Sequence, residues 1–238
     1  MNDSRRKNTL PRQGRDGLVT SRQGRDGLVT SRQGRDGLVT SRQGRDGSGA
    51  SRKATWRPGT MLAPVPPVLL SCGGTEKFRP NIITVVWAGT VCSEPPMVSV
   101  SIRPQRFSHE IISATHEFVL NLTTVSMSKA VDWCGVKSGR DVDKFEGAHL
   151  TPFPSEVISA PGIAESPVNM ECRVKKVVAL GSHDMFIAEI VAVHVSQKYI
   201  DKRGKLRLED AGLLAYAHGG YFALGKRLGF FGYSVKKK

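Results

Sequence analysis

Residues 101–112 read SIRPQRFSHEII, which places Ser101, Arg103, Arg106 and Ser108 within eight positions. Two guanidiniums and two hydroxyls at that spacing suit the binding of an anion such as a phosphate. The local pattern gives them a reason to converge. From Met97 to Ile102 the residues alternate, with Val98, Val100 and Ile102 on one face and Ser99 and Ser101 on the other, so a strand is predicted. Pro104 lacks an N–H and stops the ladder. Ser108 is expected as a helix N-cap, with Glu110 in the first turn and Ile111 and Ile112 turned inward. A helix start exposes unpaired N–H groups and the positive end of its dipole. A charge-assisted hydrogen bond contributes about 1.5–3 kcal/mol, so two or three make a useful phosphate site. Read alone, the stretch also fits a capped helix carrying two solvated arginines.

The elements that would position these groups are mostly strands. PVLLSCGG follows Pro64 and Pro66 and reads as an edge strand. IITVVWA (82–88) is β-branched and aromatic, the strongest short strand signal in the chain. EFVLNL (117–122) is another strand. Met170 to Leu180 and Met185 to Val195 form two long strands joined by a turn at Gly181-Ser182-His183-Asp184, and Lys202 to Lys205 make a further tight turn. Helices are expected after Ser108 and after Ser126 or Ser128, the second ending near Gly135. Hairpin-joined strands without regular helix alternation disfavour a doubly wound parallel sheet. They favour a mainly β fold, an antiparallel barrel or sandwich with peripheral helices.

Charge and cysteines narrow the function classes. The formal net charge is +14 over 238 residues, but residues 1–60 hold 14 Lys/Arg against 5 Asp/Glu and the remainder only 21 against 16. The basicity of the N-terminal part is therefore no argument that the rest binds nucleic acid. Within residues 1–60, PRQGRDGLVT and SRQGRDGLVT repeat in tandem and end in SRQGRDGSGA. Each repeat offers only Leu and Val to a core, too little to offset roughly 1–2 kcal/mol of ordering cost per residue. Residues 1–60 are expected to be a disordered Arg/Gly-rich segment, with at most a weak electrostatic contact to nucleic acid, and residues 61–238 the folded domain. Cys72, Cys92, Cys134 and Cys172 are too far apart for a zinc or iron–sulfur motif and are expected as reduced, packed thiols. No apolar run approaches the roughly 18 residues of a membrane span. With no signal-peptide pattern, a cytoplasmic location is expected.

Read in order, PNIITVVWA (80–88), GTVCSEPPMVSVSIRPQRFSHEI, FVLNL, CGVKSGRDVDKF (134–145), GSHDMFIAEIVAV and YFALGKRLGFFGYSV resemble the flavin reductase-like FMN-binding family, its flavoredoxin branch above all. The likeness runs from about Pro64 to the C-terminus and leaves out the repeats. It implies a Greek-key split β-barrel and a homodimer with FMN near the subunit interface. It implies flavin contacts at Asn81, Thr84 and Trp87 of N-x-x-T-x-x-W, and phosphate contacts at Ser101, Arg103 and Ser108, to which the local reading of the stretch adds Arg106. It adds Lys144 from the S-G-R-D-x-D-K-F run, His183 at the hairpin tip and a late aromatic best matched by Tyr216. Taken singly, Trp87 also fits a core position, Lys144 beside Asp141 and Asp143 a solvated face, and His183 an exposed turn.

The chemistry implied is redox. A flavin ring needs an apolar or aromatic wall and donors that stabilise the charge gained on reduction. Electrons would come from NAD(P)H or a protein donor and pass to free flavin, a redox protein partner or an inorganic oxidant. No G-x-G-x-x-G occurs, so a nicotinamide would stack directly on the flavin. No paired carboxylates or Ser/His/Asp order suggests hydrolysis, and no general-acid residue is expected. A non-catalytic FMN electron carrier and a non-redox binding module on the same barrel remain alternatives at this level.

Overall fold

A computed structural model describes residues 53–235. The expected disorder of the repeats falls largely on residues 1–52, outside the described part. Eleven strands and three α-helices follow one another: β1 Val68–Cys72, β2 Asn81–Val85, β3 Ala88–Ser93, β4 Pro96–Ile102, α1 Phe107–Thr115, β5 Glu117–Asn121, α2 Ser128–Val136, α3 Lys144–Gly147, β6 Pro152–Phe153, β7 Gly162–Ile163, β8 Val168–Ala179, β9 Asp184–Val195, β10 Leu214–Ala217 and β11 Gly220–Ala223. Seven strands form one antiparallel sheet in the order β2-β1-β5-β8-β9-β4-β3. This curled sheet with few helices is the split-barrel architecture the sequence implies.

Period-two alternation builds the barrel interior. Val68, Leu70 and Cys72 of β1 sit opposite Val85, Ile83 and Asn81 of β2, and these apolar residues pack with Val98, Val100, Ile102, Phe118, Leu120 and Phe186. Ile111 and Ile112 of α1 join the same core. The other face of β1 and β2 is covered too: Leu69 and Ile82 pack against Val131, Cys134, Phe145 and Leu150 beneath α2 and α3. Two covered faces make both strands buried at every position. PVLLSCGG is thus a central strand between β2 and β5, not an edge.

The 82–88 run also differs from expectation. It breaks at Val86 and Trp87, and β3, unpredicted, resumes at Ala88. The break lets the Trp87 carbonyl accept from the Ser101 N–H at 3.0 Å. Two register shifts, at Glu171/Cys172 and Val174/Lys176, bend the long β8–β9 hairpin. Glu171, fully buried, accepts from the N–H groups of Glu156, Val157 and Ile158 at 2.7–3.1 Å and from His194 Nε2 at 2.6 Å, pinning the 154–161 segment to the sheet. The thiols of Cys72, Cys134 and Cys172 are free and buried, whereas Cys92 on the outer strand β3 is only half-buried. No described helix is long and apolar enough to cross a membrane.

Candidate functional site

Two groups of the named residues assemble, and α1 links them. The first lies at the start of β2. Asn81 is 2% exposed and donates through Nδ2 to Ser108 Oγ at 2.8 Å. Ser108 is therefore not the expected cap. The helix begins at Phe107 with Arg106 in the N-cap position, and Ser108 turns inward because a buried amide needs its oxygen. Asn81 Oδ1 is buried with no hydrogen-bond partner among the described residues. Gly139 approaches it so closely that a Cβ there would come within 1.9 Å of that oxygen. Arg79 fixes this loop by donating to the carbonyls of Gly139 and Val142 at 2.9 and 3.1 Å.

Lys144 completes this group. Asp143 caps α3, accepting from Phe145 and Glu146 N–H groups at 2.9 and 3.1 Å, and so turns the next side chain inward. Lys144 is 4% exposed and donates from Nζ to the Cys134 carbonyl at 2.7 Å. The solvated-face alternative is thereby excluded. Burial above all, with the neighbouring Arg106 charge adding to it and the Cys134 thiol opposing it, lowers its pKa to about 8. No described carboxylate forms an ion pair with Lys144. Burial also pushes the thiols up, Cys72 to about 12 and Cys134 to about 11, so both remain protonated near neutral pH. The nearby Arg140 differs: its charge is matched by Glu110 at 2.8 Å while its guanidinium lies over Phe107.

The second group gathers Trp87, Ser101, Arg103 and His183. Strand β4 pairs Ser101 with Met185 and Ile102 with Asp184, which brings the β8–β9 tip beside Arg103. The Trp87 and His183 rings lie 4.4 Å apart. Trp87 is 43% exposed, so it presents a flat face rather than filling the core. Burial, then the Arg103 charge, lowers the His183 pKa, which favours the neutral imidazole. His109 Nε2 meets Asp184 Oδ2 at 2.8 Å and ties α1 to this tip. Sequence reasoning overlooked His109, Asp184 and Gly139. Only the tight K-S-G-R-D turn hinted at the last.

Two named residues stand apart. The Thr84 hydroxyl donates to the Val131 carbonyl and anchors α2 on the outer face of β2. Tyr216 packs edge-on against Tyr221 at 5.3 Å and bridges Val65, and its pKa is raised by burial and then by Asp132. None of these neighbours belongs to either group.

The remaining donor set fits a flavin bearing a phosphate. A buried ammonium, Arg106 and the start of α1 concentrate positive charge suited to a dianion. Asn81 Oδ1 is an orphaned acceptor suited to an N–H, and Trp87 offers a planar surface.

Comparison with known proteins agrees with that chemistry. Residues 60–225 match the family model described as "Flavin reductase like domain". The flavoredoxin of Desulfovibrio vulgaris (Miyazaki F) superposes with a TM-score of 0.72 at 28% identity, over 78% of this chain and all of that one. An FMN-binding protein from Thermus thermophilus, solved with bound 1-cyclohex-2-enone, has a TM-score of 0.61 at 27% identity, over 74% and 96% of the two chains. An uncharacterized protein of Archaeoglobus fulgidus is 35% identical over 136 residues, 57% of this chain and 75% of the relative.

Proposed function

This chain belongs to the flavin reductase like family, and on that premise we propose that it binds FMN and passes electrons through it from a reduced nicotinamide to an acceptor. The observation that carries the proposal is the buried, carboxylate-free charge of Lys144 beside Arg106 at the start of α1. A cation held out of water without a counter-charge is costly unless a ligand supplies one. Lys144, Arg106 and the α1 N–H groups would hold the phosphate, with Arg103 at the rim. Asn81 Oδ1 would accept a ring N–H, and Trp87 would cover the flat face. His183, kept neutral, adds no charge beside Trp87. Bound there, FMN supplies two-electron exchange with hydride donors and stepwise electron release to acceptors.

The relatives support this reading in kind: one is titled flavoredoxin and another FMN-binding. We extend it to a homodimer whose folded part starts near Met61. The test is anaerobic stopped-flow reduction of the FMN-loaded chain with NADH and NADPH separately. Rapid bleaching by one of them, followed by reoxidation with added free FMN, is expected. Bleaching by neither, with full reduction by dithionite, would remove the reductase and leave an electron carrier.

A further inference from the structure

A groove of about 580 Å³ runs between α2 and the β10–β11 hairpin. Val125, Trp133, Val136, Leu214 and Phe222 line it, together with the exposed Asp132. Val136 and Phe222 are 40% and 55% exposed, so the apolar floor faces water. Ala223 ends the groove, and the chain that leaves it carries the sequence LGKRLGFFGYSV, residues 224–235. In that arm Leu228 is 90% exposed, Phe231 fully exposed and Val235 81% exposed. Within the arm, Arg227 Nε donates to the Gly229 carbonyl at 2.9 Å and the Tyr233 N–H to the Phe230 carbonyl at 3.0 Å.

One chain therefore carries an exposed apolar groove and, at Leu228, Phe231 and Val235, exposed apolar side chains on the arm that leaves the groove's own end. Large apolar surfaces of this kind mark association sites. A chain that carries both parts of a lock can satisfy both at once through a twofold exchange, because the same patch meets itself across the axis. Twelve residues reach roughly 40 Å when extended, enough to cross to a neighbour. Charge agrees: Lys226 and Arg227 lie in the arm, and Asp132 lies on the groove.

We infer that residues 224–235 of one copy seat in the α2/β10–β11 groove of a second copy, and that the second copy returns its arm. The inference rests on the homodimer proposed above but not on the flavin. It assigns the occupant of the groove to a named segment of the same protein, with Leu228 and Phe231 as the anchors.

Single cysteines decide it, in a Cys92→Ser background that removes the half-buried native thiol. Leu228→Cys on one preparation and Val136→Cys on another are mixed, allowed to exchange and oxidised. Only a bond between copies can join them, so a covalent species of twice the chain mass is expected. Carrying both changes on one chain and diluting should still give that species. If the doubly substituted chain closes on itself and the mixture stays uncrosslinked, the arm covers its own groove and the inference fails. If neither crosslinks while light scattering gives a dimer, the dimer stands and the arm exchange fails. A monomeric mass overturns both. Leu228→Asp with Phe231→Asp, at positions exposed within one copy, should halve the scattering mass while circular dichroism stays unchanged. A dimer that survives this pair of changes contradicts the inference.

Discussion

Replacing Lys144 by Met removes one buried charge and keeps nearly the same volume. The free chain should tolerate it. The ammonium's pKa falls from 10.5 to about 8, which at about 1.36 kcal/mol per pH unit sets about 3 kcal/mol against the charged form. Its loss relieves that penalty but leaves the Cys134 carbonyl, now its acceptor at 2.7 Å, without a partner, at a cost of about 1–3 kcal/mol. The two nearly cancel, so the melting temperature of the flavin-free chain should move little. FMN affinity should not be spared: losing a buried charge-assisted contact to a phosphate costs about 2–4 kcal/mol, roughly 30- to 1,000-fold in Kd. The pH dependence gives a second readout. Between pH 8 and 10.5 the unfolded chain binds more protons than the folded one, so flavin-free stability rises with pH across that window, by about 3 kcal/mol in all. FMN affinity runs the other way. Above pH 8 the empty site has lost its proton and binding must restore it, so Kd should rise up to tenfold per pH unit. Fluorescence titrations from pH 6.5 to 9.5 on parent and Lys144→Met measure both effects. An unchanged Kd at pH 7, or a slope above pH 8 that persists without the lysine, would refute the role given to Lys144.

If Arg103 meets the phosphate at the rim as proposed, Arg103→Ala should weaken FMN about tenfold or more and leave riboflavin unchanged. The same change should raise the His183 pKa, followed by proton NMR, because a neighbouring cation is gone. Gly139→Ala forces a Cβ against Asn81 Oδ1 and should cost about 1–3 kcal/mol by overpacking, lowering Tm by about 2–4 °C for each kcal/mol; an unaltered Tm would show that the loop relaxes freely. Glu171→Gln should destabilise by about 1.5–3 kcal/mol in urea titrations at pH 7, since it takes the charge off a buried acceptor of three backbone N–H groups. Burial pushes the Glu171 pKa up, but the Glu156 N–H, His194 and the Val157 N–H outweigh it and leave it below the usual 4.5. Its contribution is thus full above pH 4.5 and disappears as pH falls through the lower folded value, and the variant should lack that acid-side loss.

Local signals carried the fold a long way. Alternation from Met97 to Ile102 and the stop at Pro104 gave β4 its end, and the β8–β9 hairpin and α2 lie close to where periodicity put them. Departures from the local reading come from distant partners. IITVVWA has no local breaker, yet it bends at Trp87 to close against Ser101. Ser108 has the chemistry of a cap, but Asn81, 27 residues earlier, claims its oxygen. Taken singly, Lys144 also fitted a solvated face beside two aspartates, one of which turns out to cap α3 and drive the lysine inward. Glu171 alternates with buried Cys172 and so points outward, where the 154–161 segment covers it. For the site, the sequence named the residue types but not their grouping. Thr84 and Tyr216 share the pattern with the others and stand apart in space because β2 has two covered faces and β10 joins Val65.

The central claim is that the positive end of α1 with Lys144 and Arg106 holds the phosphate of a flavin. Calorimetric titration of the parent chain with FMN and, separately, with riboflavin tests it most directly. One FMN per chain, bound roughly 30- to 1,000-fold more tightly than riboflavin at pH 7, is the predicted result. Equal affinities for the two, or no heat and no spectral change with FMN, would contradict it.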